Sequence, residues 1–350
     1  MKKILAFTLC ALMMFSMLAL VGCGDKQSDD NKDTTSTTKA PEASKPAEDN
    51  KPVANVKFGA GLYIGTPAAT DATADKAGQG SVDVTAAAVI VDANGKIVAC
   101  DLDTMQNKVS YDASGKAIAN ESFKTKRELG DAYNMVAYGG AKQEWYKQAD
   151  AFEALIVGKT VAEIKALVAE GNKGTDEVVN AGCTIMINEF VNAIEKAVAN
   201  AKTDVAADAT VKVTMSTSQT CTDATADKAG SNDVETYVFA AALKDGKVAA
   251  ASSDCVQVKF GFDAFGVSSF DASKAVASKR EQGANYGMVA YGGAAKEWFE
   301  QADAFDAACV GKTGAEIAGL MAEDYKGIDS LKAAGCTVYV SGFVAAASKI

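Results

Sequence analysis

The chain has 350 residues, of which 48% are hydrophobic and 23% are charged, and its formal net charge is −10. This length allows about two domains, and the acidic balance disfavours binding to nucleic acid, whose phosphates attract basic surfaces. The chain contains no histidine, which excludes histidine-based acid–base catalysis, Ser-His-Asp and Cys-His nucleophile arrangements, and histidine metal sites. No catalytic constellation stands out among the remaining residues.

An export signal is predicted at residues 1–22. Two lysines precede an apolar run from Ile4 to Leu20, and the sequence Leu20-Val-Gly-Cys23 follows. Because the run is at the short limit for spanning and ends at a processing site, it indicates a signal peptide rather than a transmembrane helix. Leu-Val-Gly-Cys resembles the lipobox of bacterial lipoproteins. The resemblance implies cleavage before Cys23, diacylglycerol on its sulfur with acyl chains such as palmitate, and a place on the outer face of the bacterial cytoplasmic membrane.

Residues 23–53 are predicted to be a disordered tether behind the lipidated cysteine. They are rich in Asp, Lys, Ser, Thr and Ala, and they include three of the four prolines of the chain. Such a composition buries too little apolar area to offset the conformational entropy of the chain.

The rest of the chain is a tandem duplication. Residues 126–152 recur at 279–305, so that Lys126 and Lys279 lie 153 residues apart. We therefore divide the chain into repeat 1 at residues 54–202 and repeat 2 at residues 209–350.

Each repeat begins with predicted strands. Residues 54–65 alternate loosely in polarity, and Val82–Val91 and Lys96–Asp103 flank an Asn94-Gly95 turn. Asn-Gly supplies the positive φ angles that a tight hairpin requires. A further short strand is predicted at Lys108–Tyr111.

Each repeat then continues with predicted helices. A helix is expected from about Ala141, because Trp145, Ala149, Phe152 and Ile156 recur at helical spacing. This spacing predicts that Trp145, and Trp298 in repeat 2, belong to the core rather than to a ligand site. Strands first and helices later are typical of an α+β fold, with an antiparallel sheet backed by helices in each repeat.

The end of each repeat carries further local signals. Thr160-Val-Ala-Glu163 and Thr313-Gly-Ala-Glu316 are capping boxes. They also account for the Gly-Lys-Thr sequence at this point, which lacks the earlier glycine of a phosphate-binding loop. A short apolar strand is predicted at Cys183–Ile187, followed by a helix from Asn188, with Ser341 as the equivalent capping residue.

Two patterns leave alternatives open. Asp71 and Asp75 lie in a polar loop that is interpreted as a plain turn, or else as a calcium loop. Six cysteines follow Cys23, and none forms a C-x-x-C pair, so no zinc or thioredoxin-type site is predicted. We interpret these cysteines mainly as small buried residues, with disulfides as the alternative.

A Lys-Arg-Glu sequence opens the recurrent segment of each repeat, and tyrosines follow among glycines. One interpretation is that Glu128 and Glu281 neutralise the cations inside the fold. The other is a pocket in which the cations meet an anionic ligand beside the tyrosines. The candidate ligand-binding residues are Lys126, Arg127, Tyr133, Tyr138, Lys279, Arg280, Tyr286 and Tyr291.

A second motif precedes the last helix of each repeat, as Ala181-Gly-Cys-Thr184 and Ala334-Gly-Cys-Thr337. It resembles the Ser-Gly-Ala-Thr motif of bacterial FMN-binding domains, with alanine in place of the serine and cysteine in place of the central alanine. Members of that family carry hairpins of the type seen here as Asp92-Ala-Asn-Gly-Lys-Ile97, and they often occur in lipoproteins. The resemblance implies FMN on Thr184 and Thr337.

The sequence thus favours a membrane-anchored extracytoplasmic lipoprotein that acts as a binding or surface-interaction module. Its partner would be a small molecule or a surface protein, and no resident cofactor or metal is expected. The alternative is a flavin-binding surface electron-transfer lipoprotein, which a yellow colour of the native protein would distinguish.

Overall fold

Strands and helices alternate in blocks along the chain, in the order that the duplication predicts. The computed structural model describes residues 55–350, so the predicted signal peptide, Cys23 and the tether lie outside the described residues. Repeat 1 contains β1 (Val56–Ile64), β2 (Ala68–Thr70), β3 (Gly78–Val91), β4 (Ile97–Tyr111), β5 (Ala117–Ile118), α1 (Lys126–Leu129), α2 (Trp145–Ile156), α3 (Val161–Lys165), α4 (Asp176–Ala181) and α5 (Asn188–Ala199).

Repeat 2 follows the same plan after a short connecting strand. The connecting strand is β6 (Thr203–Val205). The elements of repeat 2 are β7 (Thr210–Thr222), β8 (Gly230–Lys244), β9 (Lys247–Phe262), α6 (Lys279–Gln282), α7 (Trp298–Cys309), α8 (Gly314–Ala318), α9 (Asp329–Ala333) and α10 (Ser341–Ala347).

Two antiparallel sheets form the centre of the molecule. One has the order β5-β4-β3-β1-β6, with β2 paired to β3, and the other has the order β7-β8-β9. The α+β class with antiparallel sheets is therefore confirmed. The first hairpin is longer than predicted, because Lys108–Tyr111 continues β4 instead of forming a separate strand.

The two sheets pack face to face and share a core. Side chains such as Phe58, Leu62 and Met105 from repeat 1 pack in one buried cluster with Met215 and Phe260 from repeat 2. The opposite faces are covered by the helices of their own repeats, where Trp145 and Trp298 lie in separate clusters. Both tryptophans are buried, as the helical spacing predicts.

Contacts between the repeats are reciprocal, as in a two-fold symmetric dimer. Tyr111 and Phe262 hold equivalent positions, opposite Gly78 and Gly230, and their rings stack on one another at 4.3 Å between centroids. The polar loops also exchange hydrogen bonds, in which Asp71 accepts from the Ser268 amide at 2.8 Å and Asp223 accepts from the Ala117 amide at 2.9 Å.

The local helix signals are partly confirmed. The capping boxes at Thr160 and Thr313 are both formed. The helix predicted from Ala141 begins at Trp145, because the carboxylate of Glu144 accepts hydrogen bonds from the amides of the preceding loop. The last helices begin at Asn188 and Ser341, but Ile187 and Val340 hold the N-cap positions, so the prediction of a polar cap at Ser341 is wrong.

The predicted strand at Cys183–Ile187 is wrong. The Cys183 amide donates to Val178 O, the Thr184 amide to the Gln148 side chain, and the Ile187 amide to Asn172 O. Since these donors are used by a helix end and by a side chain, the segment makes only an isolated bridge, between Lys173 and Met186.

The six cysteines in the described residues are free thiols, and four of them are buried: Cys183, Cys255, Cys309 and Cys336. The interpretation as small buried residues therefore holds for these four. Cys100 is partly buried and Cys221 is exposed.

Candidate functional site

Two clefts lie between the repeats, at equivalent positions. The wide cleft has a volume of about 730 Å³ and lies between Phe58–Leu62 of β1, Ala249–Ser252 of β9 and the residues Lys196, Arg280 and Ala307. The narrow cleft has a volume of about 270 Å³ and lies between Lys212–Met215 of β7 and the residues Asp103, Arg127, Glu128 and Lys349. Each cleft thus joins the first strand of one repeat to the Lys-Arg-Glu segment of the other.

A reciprocal ion pair lies at each cleft. Lys196 of α5 pairs with Glu281 at the wide cleft, and Lys349 pairs with Glu128 at the narrow cleft at 2.7 Å. Glu128 and Glu281 therefore bind lysines of the opposite repeat, so the prediction that they neutralise the cations beside them is wrong.

An aspartate crosses between the repeats beside the narrow cleft. Asp101 pairs in register with Ala88, and Ser252 pairs with Ala240 at the equivalent position in repeat 2. The Asp101 carboxylate crosses to the other repeat and accepts a hydrogen bond from the Val213 amide at 2.6 Å. Ser252 has a shorter side chain, which leaves the corresponding space in the wide cleft open.

The strand that faces the wide cleft also carries smaller residues than the strand that faces the narrow cleft. Gly59 and Gly61 of β1 correspond to Lys212 and Thr214 of β7. The glycines let helix α5 approach the strand closely, since a Cβ atom on Gly59 would lie 2.1 Å from Ala197 O. The wide cleft therefore has a wall of backbone and small side chains.

Both candidate arginines lie at a cleft, and both are held by carboxylates. Arg280 donates from Nη1 to Asp303 at 2.6 Å, from Nη2 to Asp306 at 2.8 Å, and from Nε to the carbonyl of Ser253. Arg127 has the same arrangement with Asp150, Glu153 and the carbonyl of Leu102. The arginines thus belong to the scaffold and also line the clefts.

The candidate lysines point elsewhere, toward the aromatic core. Lys126 Nζ lies 5.3 Å from the ring centroid of Tyr133 and 5.5 Å from that of Trp145. Lys279 has the same arrangement with Tyr286 and Trp298, and its ammonium also pairs with Glu235 at 2.8 Å. The structure therefore places each lysine beside one of the candidate tyrosines, and this lysine–tyrosine pair lies apart from the arginine that follows the lysine in sequence.

Tyr138 and Tyr291 lie apart from these groups, on exposed loops, where they are 88% and 91% exposed. Each loop is fixed by a buried glutamate. Glu144 accepts from the amides of Met135 and Val136 at 2.9 and 3.1 Å, and Glu297 makes the equivalent bonds in repeat 2.

Thr184 and Thr337, the residues predicted for flavin attachment, are both exposed. The Thr184 hydroxyl donates to the side-chain oxygen of Gln148 at 2.9 Å, and the Thr337 hydroxyl donates to that of Gln301 at 3.0 Å. Neither threonine lines a cleft.

The residues that sequence reasoning missed are those that make the clefts unequal. Ser252 in place of Asp101, and Gly59 in place of Lys212, are visible as soon as the two repeats are aligned by their strand register. The signal for the clefts is thus a difference between the repeats, whereas the predicted sites lie in the segments that the repeats share.

A buried aspartate lies beside each arginine. Burial raises the pKa of Asp103 and of Asp254 to about 6. The Asp254 carboxylate accepts hydrogen bonds from the Ser278 hydroxyl at 2.6 Å and from the Arg280 amide at 3.1 Å. These bonds lower the pKa of Asp254, but burial raises it by more.

These raised pKa values predict that stability falls as the pH rises from about 4 to about 7. In the unfolded chain an aspartate ionises near pH 3.9. The stability contributed by each protonated, buried aspartate is therefore complete below that pH, and it is lost as the pH rises through the pKa of the folded state. We expect a loss of about 2–3 kcal/mol for each site. Urea denaturation between pH 4 and pH 7 measures the slope, which Asp254→Asn should reduce; an unchanged slope in that variant would contradict the prediction.

The fold and clefts place the chain in a class: an α+β protein of two fused repeats with a cleft at their junction. No protein-family model matches the chain, and no solved structure matches it at a significant level. Residues 55–350 contain no helix that is both long and apolar enough to cross a membrane, and they contain no cluster of acidic and cysteine side chains that could hold a metal ion.

A chlorophenol reductase of Desulfitobacterium hafniense is similar to part of the chain. The two are 30% identical over 108 residues, which make up 27% of this chain and 33% of the reductase. The chain thus spans about a third of the length of this curated relative.

Proposed function

We propose that this chain is a lipid-anchored extracytoplasmic binding protein and that the wide cleft is its ligand site. The observation that carries the proposal is the inequality of the two clefts. The duplication supplies two equivalent positions: the Asp101 carboxylate bridges the repeats at one, and the shorter Ser252 lines the other, which is wider. An open cleft of about 730 Å³ lies within the usual range for small-molecule sites, about 300–1,000 Å³.

The walls of the wide cleft favour a preformed site. The sheets that carry the two sides share one buried core, and the Lys196–Glu281 ion pair connects the sides at the cleft. A site whose walls are fixed before binding loses little conformational entropy when the ligand enters.

The lining mixes apolar and charged groups, as sites for small polar molecules do. Phe58, Phe299 and Val310 contribute apolar surface, and Lys202 and Arg280 contribute positive charge. Four acidic side chains also line the cleft: Asp254, Glu281, Asp303 and Asp306.

A tryptophan placed in the wide cleft should remove ligand binding. Ala307 lies on α7, is exposed and lines the cleft, so the indole of Ala307→Trp would occupy the ligand space. Native mass spectrometry of the chain extracted from its own membrane should show a bound small molecule, reduced at least tenfold in Ala307→Trp.

Ala154→Trp is the matched control. Ala154 is the equivalent exposed position of α2, and it lines neither cleft. Equal retention of the bound molecule in the wild type, Ala307→Trp and Ala154→Trp would contradict a site in the wide cleft.

The membrane anchor is proposed at Cys23, which lies outside the described residues. Acylation of its sulfur would hold the chain to the bilayer, since each buried methylene contributes about 0.8 kcal/mol. Cys23→Ala should therefore move the protein from the detergent phase to the aqueous phase in Triton X-114 partitioning, and unchanged partitioning would contradict lipidation.

A flavin-binding electron-transfer protein is the second candidate. The exposure of Thr184 and Thr337 on both repeats supports it, because a covalently attached flavin needs an accessible hydroxyl. The similar protein from Desulfitobacterium hafniense is named for a reductase activity, which also favours redox chemistry. An absorbance spectrum of the native protein with flavin bands would support this candidate, whereas a colourless protein of unmodified mass would exclude it.

A further inference from the structure

At the narrow cleft, the edge of β7 binds a carboxylate. The Val213 amide of β7 points away from β8 and donates to the Asp101 carboxylate at 2.6 Å. The same carboxylate lies 3.9 Å from Nε of Arg127. In this cleft a carboxylate from one repeat thus lies between a strand-edge amide of the other repeat and an arginine of its own repeat.

The wide cleft has the same strand edge and the same arginine. Ala60 is the equivalent of Val213, since the two residues pair with Ala88 and Ala240, which are themselves equivalent. The Ala60 carbonyl accepts a hydrogen bond from Asn200 at 3.0 Å, which places the edge-facing groups of Ala60 on the side of the cleft. Arg280, the equivalent of Arg127, lines the same cleft.

The wide cleft lacks this carboxylate, and it also lacks the lysine beside it, because Gly59 is the counterpart of Lys212. Ser252 stands where repeat 1 has Asp101. The backbone groups of Ala60 point away from β3, and within residues 55–350 the Ala60 amide donates to no loop or side-chain group. A strand-edge amide without a partner is a free donor. Since Nε, Nη1 and Nη2 of Arg280 already donate to Ser253, Asp303 and Asp306, Arg280 contributes its charge rather than a new bidentate contact.

The balance of charge limits the kind of anion. Of the three cationic side chains in the lining, Lys196 and Arg280 are paired with carboxylates, whereas Lys202 has no carboxylate within 4.0 Å among the described residues. The four acidic side chains of the lining oppose a second negative charge on the ligand. A singly charged carboxylate therefore fits better than a phosphate.

We propose that the wide cleft binds a small molecule with a carboxylate, which accepts the hydrogen bond of the Ala60 amide beside Arg280. The carboxylate of the ligand takes the place that Asp101 occupies in the narrow cleft. This inference rests on the wide cleft being the ligand site and adds the chemical class of the ligand.

The Ala60 amide can be observed directly. The sequence contains five Gly-Ala pairs, at Gly59-Ala60, Gly140-Ala141, Gly283-Ala284, Gly293-Ala294 and Gly314-Ala315. Labelling the full chain in detergent micelles with carbonyl-¹³C glycine and ¹⁵N alanine therefore limits an HNCO spectrum to these five amides. The probes are benzoate and hexanoate, each compared with its neutral amide.

We expect benzoate or hexanoate to shift the Ala60 amide downfield in a saturable manner and to leave the other four amides in place. The neutral amides should bind at least tenfold more weakly, since they lack the charge. Absence of a saturable Ala60 shift with both carboxylates, or equal binding of the neutral amides, would overturn the inference.

The variant Ser252→Asp tests the comparison between the narrow cleft and the wide cleft. The new carboxylate should occupy the site, shift the Ala60 amide without any probe, and weaken carboxylate binding at least tenfold. Ala154→Trp, which lines neither cleft, should bind like the wild type. The other four amides report whether each variant is folded, and undiminished binding by a folded Ser252→Asp variant would contradict the inference.

The two proposals fail in different ways. If Ala307→Trp removes the bound molecule but carboxylates do not move the Ala60 amide, the wide cleft remains the ligand site and only the carboxylate inference is wrong. If Ala307→Trp retains the bound molecule, the wide cleft is not the ligand site.

Discussion

Replacing Trp298 with alanine is expected to lower the free energy of unfolding by about 3–5 kcal/mol, the usual range for a large buried aromatic residue. Trp298 is only 3% exposed. Its ring stacks on Phe343 at 5.4 Å between centroids, and the ammonium of Lys279 lies 5.7 Å from it. Alanine would leave a cavity under α7 that the surrounding helices and sheet can only partly fill.

The same change at Trp145 should have a similar effect, because its ring is also 3% exposed and packs edge-on against Phe190 at 5.6 Å. Urea denaturation followed by circular dichroism measures both. Tyr138→Ala and Tyr291→Ala are the controls, since these aromatic side chains are exposed and should change stability by less than about 0.5 kcal/mol. A small effect at either tryptophan would show that its ring does not support the core.

Removal of the Asp306 carboxylate is expected to cost about 3–5 kcal/mol, because it leaves a mostly buried guanidinium without its buried partner. The Asp306 side chain is 8% exposed. It accepts from Arg280 Nη2 at 2.8 Å and from the Ser253 amide at 2.9 Å. Asp306→Ala breaks both contacts, so Arg280 must either remain poorly solvated or move into the wide cleft.

Asp303 provides a control on the same guanidinium. It accepts from Arg280 at 2.6 Å, yet its side chain is 60% exposed, so Asp303→Ala should cost less than about 1 kcal/mol. Repeat 1 offers an independent copy, in which the carboxylates that bind Arg127 are Glu153, 14% exposed, and Asp150, 55% exposed. Equal losses for the buried and exposed carboxylates would show that burial does not determine the strength of these pairs.

Local patterns were predicted well because their partners are close in sequence. The capping boxes at Thr160 and Thr313 need only a residue three positions away. The buried face of α2 follows from the helical repeat of Trp145, Ala149 and Phe152. The hairpin forms at Asn94-Gly95 as predicted, although only Gly95 adopts a positive φ angle.

Predictions failed where a distant group took the hydrogen bond or the charge. Cys183–Ile187 has the composition of a strand, but the Thr184 amide is bound by Gln148 from α2. Glu128 stands next to Arg127 in sequence, but it pairs with Lys349 at the other end of the chain. Such partners cannot be read from neighbouring residues.

The sequence by itself determined the duplication, the α+β class and the burial of Trp145 and Trp298, since these depend on internal similarity and on local periodicity. Only the tertiary structure decided that the repeats pack sheet against sheet, which brings Ala60 of one repeat to the same cleft as Arg280 of the other. The physical reason is that a cleft is defined by surfaces far apart in sequence. Its lining depends on side chains from both surfaces, such as Asp101, which reaches Val213 of the other repeat.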